Sequence, residues 1–154
     1  MNIQTVFQVK MESPIGMLYL VASTKGLQTI EWDEDKTIEY KETPFLKKVK
    51  KELKEYFDGK RTKFDITLDI EGTDFQKRVW KELMKIPFGT TISYKTLGER
   101  LKTKGYQAVG SANGRNPICV IIPCHRVIAQ DGSLGGYSGG IDKKITLLEL
   151  EKNS

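Results

Sequence analysis

Ile118-Cys119-Val120-Ile121-Ile122-Pro123-Cys124-His125-Arg126-Val127 is the stretch on which the reading of this chain turns. A short apolar run closed by a proline reads as a buried segment, a strand, that delivers Cys124 to a rigid and water-poor place. His125 is the single histidine of the chain and sits directly against the cysteine. In cysteine chemistry the thiolate is the nucleophile, and a neighbouring imidazole can take the thiol proton. A free cysteine by itself is more often a small buried hydrophobe. The prolines, the arginine and the sole histidine gathered at Cys124 favour the reactive reading.

Upstream of this stretch the pattern is helical. Thr73 or Asp74 can cap a helix running to about Lys85, with Phe75, Val79, Leu83 and Ile86 on its apolar face. Pro87-Phe88-Gly89 ends it. Thr91 or Ser93 opens a second helix, Tyr94 to Leu101, which Lys104-Gly105 breaks, and a third runs from about Tyr106 to Asn113. Two short helices joined by a tight glycine turn read as a helix-turn-helix. The third helix is unusual for a base reader. A helix in the major groove shows arginine, asparagine or glutamine to the bases, whereas this one offers Ala108, Gly110, Ser111 and Ala112. Small side chains let a helix backbone approach either a narrow groove or another helix, and the residues alone leave both readings open. Downstream, Gly132 to Gly140 is glycine-rich, and Asp142 is placed to cap a closing helix through Glu151.

The N-terminal half reads differently. Thr5–Met11, Gly16–Ala22 and Gly26–Trp32 are strand-like and lie at hairpin spacing, with Pro14-Ile15-Gly16 and Thr24-Lys25-Gly26 as turns. Pro44 through Phe57 is a helix with Phe45, Val49, Leu53, Tyr56 and Phe57 on one stripe, and Phe64-Ile66-Leu68 alternates as a further strand. The pattern changes around Glu71-Gly72-Thr73. The expected fold is therefore α+β in two domains. Residues 1–70 form a small α/β scaffold with an antiparallel sheet. Residues 71–154 form a mostly helical, winged-helix-like domain with a helix-turn-helix.

With 38% hydrophobic and 29% charged residues over 154 positions, the composition suits a soluble globular protein. Neither a signal-peptide core nor a run of 18 apolar residues occurs, which argues against a membrane partner. The net charge of +5 weakly favours an anionic one. Cys119 and Cys124, on opposite faces of an extended run, are out of disulfide reach, and a reduced intracellular setting follows, cytoplasmic, nucleoid or nuclear. One histidine and two cysteines cannot assemble a protein-only structural zinc site without carboxylates, so no metal is expected.

Taken together, Asn116-Pro117, Pro123-Cys124-His125-Arg126-Val127-Ile128 and Gly136-Tyr137-Ser138-Gly139-Gly140 resemble the active-site signature of the O6-alkylguanine-DNA alkyltransferases, the methylated-DNA–protein-cysteine methyltransferases. The resemblance runs from about Phe75 to the C-terminus and is loose before it. It implies a monomeric, cofactor-free protein that extrudes O6-alkylguanine from double-stranded DNA through the minor groove and moves the alkyl group irreversibly to Cys124. By position it implies that His125 takes the thiol proton through a water, that Glu151 orients the imidazole, and that the pair lowers the thiol pKa. On residues alone Glu151 is a solvated charge on a helix. The resemblance gives Tyr94 two tasks, pressing on the rotating phosphate and protonating the leaving guanine. Asn116, grouped with the substrate-binding residues, would tie the turns around the helix-turn-helix together through an Asx-type turn, and Tyr137, Ser138 and Gly139 would wall the base pocket. Tyr94, Lys95, Gln107, Ala108 and Ser111 would face DNA, with Lys95 and Lys104 as phosphate contacts. Arg126 is expected to pair with a buried carboxylate or backbone carbonyls. The chain departs from the family at Gln107, where relatives carry an arginine that fills the gap left by the extruded base; Tyr106 is a second candidate for that task. A lesion sensor of related fold would lack the cysteine, a cysteine hydrolase needs an oxyanion hole and usually a histidine distant in sequence, and a plain helix-turn-helix regulator leaves the Cys124-His125 pair without a use.

Overall fold

The structure, a computed structural model, describes residues 5–153. It divides into two compact units, Met1–Glu71 and Gly72–Ser154. Charge is divided unevenly between them. The second unit carries thirteen Lys and Arg against seven Asp and Glu, and the first carries twelve against thirteen, so the net +5 arises entirely from the second.

In the first unit, β1 (Val6–Met11), β2 (Leu18–Ser23) and β3 (Leu27–Glu31) form an antiparallel meander. The two-residue β4 (Glu39–Tyr40) adds to the free edge of β1 in parallel, giving the order β3-β2-β1-β4. Buried Gln8 explains how so short a strand is held. Its side-chain amide donates to the carbonyls of Asp35 at 2.6 Å and Ile38 at 2.7 Å, which staples the 35–38 loop to β1. The strand expected at Phe64–Leu68 does not form. That segment makes one parallel bridge, Leu68 to Leu27, with Leu27 N–H donating to Thr67 O at 2.9 Å. The bridge depends on Gly26, where a Cβ would lie 2.6 Å from Thr67 O. Helix α1 (Pro44–Phe57) starts at Thr43, whose side chain accepts from Leu46 N–H, and buries Leu46, Val49, Leu53 and Tyr56 at helical spacing.

In the second unit, α2 (Asp74–Leu83) opens with a reciprocal capping box between Thr73 and Gln76. It buries Val79, Trp80 and Leu83, and Trp80 Nε1 donates to Ala112 O at 2.9 Å, tying α2 to α4. Helix α3 (Tyr94–Arg100) is capped by Ser93. It ends differently from the expectation that Lys104-Gly105 breaks it. Lys102 sits at φ 57°, Lys102 N–H donates to Glu99 O, and Thr103 N–H donates to Gly98 O, both at 3.0 Å. This is a Schellman closure with lysine in the left-handed position. Gly105 then serves as N-cap of α4 (Tyr106–Gly114). The two helices cross closely because residue 98 is glycine: a Cβ there would lie 2.5 Å from the Tyr106 ring. Strands β5 (Ile92–Ser93) and β6 (Val127–Ile128) pair in parallel, and α5 (Ile141–Lys152) closes the unit. Its N-cap is Gly140 at φ 107°, and Asp142 lies inside the first turn, so Asp142 is not the cap.

Candidate active site

The apolar run before Cys124 is buried, yet it is not a strand. Ile122 N–H donates to Ile118 O and Ile121 N–H to Cys119 O, each at 2.9 Å, so the run folds into consecutive turns. Val120 takes φ 72°, a conformation that costs a β-branched residue and persists only where the surroundings impose it. Asn116 imposes it. Its Oδ1 accepts from Ile118 N–H at 2.9 Å and its Nδ2 donates to Ile122 O at 2.6 Å, bracketing the turn at both ends. The argument that an extended run separates Cys119 from Cys124 therefore does not apply, although neither cysteine forms a disulfide.

The turn delivers Cys124 to a single 3-10 turn, Cys124–Arg126. All three side chains are buried. His125 Nε2 lies 2.7 Å from Glu151 Oε2. Arg126 grips the same carboxylate through Nε at 2.8 Å and Nη2 at 2.9 Å, and its Nη1 donates to Ile86 O at 2.7 Å. Gly89 N–H donates to Glu151 Oε1 at 3.1 Å. Glu151 is thus no solvated charge: it is a buried carboxylate fixed by a bidentate guanidinium, a backbone N–H and an imidazole. A carboxylate can only accept, so Nε2 carries the imidazole hydrogen and Nδ1 holds a lone pair. Nδ1 is buried and makes no hydrogen bond. Burial also pushes the His125 pKa below its ordinary value, against the pull of Glu151.

Cys124 lines a cavity of about 270 Å³. Tyr94 of α3 and Gly110, Asn113 and Gly114 of α4 form part of the wall. Gly136, Tyr137 and Ser138, from the loop before α5, complete it. The two α4 glycines do not serve close packing, since a Cβ at Gly110 or Gly114 would meet no heavy atom within 4 Å. Burial raises the Cys124 thiol pKa; the Asn116 side chain, the Lys144 charge and a backbone hydrogen bond oppose it without reversing it. The resting nucleophile is therefore a neutral thiol, contrary to the expectation of a lowered pKa. Tyr94 is also held protonated, by burial first and by the nearby Cys124 second.

Of the residues singled out in the sequence, Tyr94, Cys124, Tyr137 and Ser138 meet at the cavity, and His125 and Glu151 pair behind it. Asn116 and Gly139 are not among the cavity-lining residues. Asn116 is a brace of the Cys124 turn and not a wall of the pocket. Lys95, Lys104, Gln107, Ala108 and Ser111 are exposed on α3, α4 and the turn between them. Tyr106 is 41% exposed, with its ring over Gly98. Two contributors escaped the sequence reading. Asn113 is one, and Gly110 a turn before it and Gly114 directly after it on α4 were its only signal. Lys144 is the other. It is fully buried, and its Nζ donates to Val127 O at 2.8 Å, Leu134 O at 2.5 Å and Gly136 O at 3.2 Å. It anchors the wall loop, yet in sequence it looks like any lysine on a charged helix. Among the described residues no group of His, Cys, Asp and Glu is placed to hold a metal.

Residues 74–153 match the family model described as the DNA binding domain of 6-O-methylguanine DNA methyltransferase, and residues 6–70 match its ribonuclease-like domain. The chain belongs to the 6-O-methylguanine DNA methyltransferase family. The family relationship covers the N-terminal unit as well, which the signature residues alone had not reached. A methylated-DNA–protein-cysteine methyltransferase of Methanosarcina barkeri is 47% identical over 152 residues, covering 93% of this chain and 95% of the relative. One of Mycobacterium leprae is 45% identical, covering 93% and 90%. The crystal structure of the Mycobacterium tuberculosis O6-methylguanine methyltransferase superposes with a TM-score of 0.87 at 43% identity, covering 96% of this chain and 93% of that one. A structure of the Mycobacterium tuberculosis protein in complex with DNA gives 0.86 at 43% identity, covering 94% and 91%.

Proposed function

We propose that this protein repairs alkylated DNA by moving an alkyl group from O6 of guanine to Cys124, once per molecule. The observation that carries the reading is a buried thiol on the wall of a cavity that also holds a tyrosine hydroxyl. Behind it stands an imidazole whose free nitrogen is a lone pair and whose other nitrogen is locked on Glu151. The thiol proton passes through an intervening water to His125 Nδ1. Glu151, held by Arg126, stabilises the imidazolium. Sulfur attacks the alkyl carbon, the carbon–O6 bond breaks, and the guanine leaves as an anion that Tyr94 protonates. Tyr94 regains a proton from the pool that took the thiol's. The products are a neutral thioether and guanine. Among the described residues no second thiol stands in the cavity to take the alkyl group from the thioether, so each molecule acts once and needs no cofactor, the alkyl donor being the lesion.

A base inside a duplex cannot reach a buried thiol and must be extruded, which costs a few kcal/mol. The exposed face of α4, with Gln107, Ala108 and Ser111, is small enough for the narrow minor groove. Gln107 stands at the position of the extruding residue. Lys95 and Lys104 supply phosphate contacts beside it, on the unit that carries the positive charge. Among the described residues no helix is long and apolar enough to cross a membrane, and the proposed setting is a cytoplasmic monomer on DNA. The test is a duplex carrying O6-methylguanine labelled in the methyl group. Label is expected to move to the protein and not to solvent. Release of labelled methanol points to hydrolysis and rules the proposal out.

A further inference from the structure

Two residues other than glycine take a positive φ among the described residues, Val120 at 72° and Lys102 at 57°. Val120 belongs to the turn that delivers Cys124, and the Asn116 side chain holds that turn at both ends. Lys102 has no such place in the mechanism above. It follows Leu101, the C-cap of α3, in the left-handed position that helix ends most often give to glycine. A Cβ in that conformation crowds the backbone, so lysine here costs stability that glycine would not. Outliers of this kind gather where a side chain has a task.

The Lys102 side chain does nothing inside the protein to offset that cost. It is exposed, and its ammonium makes no ion pair or hydrogen bond among the described residues. The backbone beneath it, by contrast, is fixed. Lys102 N–H donates to Glu99 O and Thr103 N–H to Gly98 O, each at 3.0 Å, and Gly105 N–H donates to Thr103 Oγ1 at 3.1 Å. The turn therefore sets the Cα–Cβ direction of Lys102 and leaves its charge to a partner outside the chain. Three of the four charged residues from Glu99 to Lys104 are cationic, so that partner is an anion. The turn joins α3 to α4, and in a helix-turn-helix on DNA the first helix crosses the sugar-phosphate backbone while the second enters a groove. The link between the two then lies over a row of phosphates.

Resting on the alkyl-transfer reading and its DNA substrate, we propose that Lys102 is a phosphate-binding residue held in a strained backbone conformation, its ammonium contacting the DNA backbone at the α3–α4 turn. The contact is indifferent to base sequence and to the lesion. Stability and DNA affinity are then opposed at this one position: glycine in place of the lysine makes the free protein more stable and the complex weaker. A lysine that is merely tolerated there gives the first effect without the second.

The experiment uses the full chain, unaltered and as Lys102→Gly and Lys102→Arg. Each is melted in the absence of DNA and titrated against a lesion-free duplex over a series of salt concentrations. Glycine adopts the left-handed conformation freely, so Lys102→Gly keeps the fold. It is expected to melt about 2–4 °C higher. It is also expected to bind duplex several-fold more weakly, with the slope of log affinity against log salt flatter by about one. Lys102→Arg retains both charge and strain, and is expected to match the unaltered protein in slope and in melting temperature. Three results overturn the assignment: an unchanged slope in Lys102→Gly, a slope in Lys102→Arg as flat as that of the glycine variant, or no rise in the melting temperature of Lys102→Gly. Failure of the underlying reading shows elsewhere, in the unaltered protein, as affinity independent of salt or as no methyl transfer from an O6-methylguanine duplex.

Discussion

His125 meets a carboxylate on one side and a buried lone pair on the other, and this asymmetry sets its pH behaviour. Since burial holds the Cys124 thiol protonated, unaided ionisation is rare at neutral pH, and His125 has to remove the proton as the bond forms. In His125→Ala the reaction depends on free thiolate, whose fraction rises about tenfold per pH unit below the thiol pKa. The transfer rate of this variant is expected to climb steadily from neutral to strongly alkaline pH, while the unaltered protein stays flat. Identical profiles in stopped reactions with O6-benzylguanine would remove His125 from the proton path. The same histidine affects stability. Its folded pKa is depressed, so the folded state refuses a proton that the unfolded state takes below pH about 6.5. The contribution is present above that pH and is lost as pH falls towards the folded pKa. Melting temperature is expected to decline as pH drops below about 6.5, and less steeply in His125→Gln.

At the scale of elements, α4 and the loop before α5 do different work. Gln107 is exposed on α4 and has an amide where a guanidinium offers both a stacking plane and a fixed charge. Gln107→Arg is expected to speed repair of duplex DNA by a few-fold to about tenfold, the size of one charge-assisted hydrogen bond. Reaction with free O6-benzylguanine should not change, because that substrate needs no extrusion. An equal response of both substrates would move the extruding role elsewhere, with Tyr106 next to be tested. The loop depends instead on Lys144, whose three donors all go to backbone carbonyls. A Cβ at Gly135 would lie 3.3 Å from the Tyr94 ring and 3.8 Å from Lys144 Nζ, so the lysine, the loop and the tyrosine are stacked in contact. Lys144→Met leaves the carbonyls without donors. It is expected to lower the melting temperature, to open the 129–140 segment to proteolysis, and to slow transfer by about tenfold or more. Unchanged proteolysis would mean that the loop is held by other contacts.

For the whole molecule, the charge of Gly72–Ser154 makes DNA binding a counterion-release process. Affinity should fall with salt and depend little on sequence, and each phosphate contact adds about 0.9 to the log–log slope. Replacing Lys95 or Lys104 by Ala should flatten the slope by about one, measured by titration against a lesion-free duplex; a slope independent of salt would argue against a DNA substrate. The sequence made some of this legible and concealed the rest for physical reasons. Helices α1 to α3 could be read because their caps and apolar spacing are local signals, and α4, which has no side-chain cap, only from the glycine turn before it. The Phe64–Leu68 strand was misread because alternation reports a half-buried segment and not its hydrogen-bond partners, which here are Leu27 at one end and the Glu52 carboxylate at Asp65 N–H. Ile118–Ile122 was misread because a turn held by the Asn116 side chain has the composition of a strand. At the site, Cys124 and His125 stood out by residue type and motif, and Tyr94 only by its position in the family resemblance. Lys144 and Asn113 did not, since what distinguishes each is the atoms around it in three dimensions.

The central claim is that Cys124 accepts one alkyl group and keeps it. Titration of the protein with excess O6-methylguanine duplex, followed by peptide mass analysis, tests it most directly. The predicted result is a plateau at about one methyl group per protein, carried on the Cys124 peptide, with Cys119→Ser unaffected and Cys124→Ala inert yet still able to bind DNA. Methyl transfer that continues past one equivalent, persists in Cys124→Ala or maps to Cys119 would contradict the account.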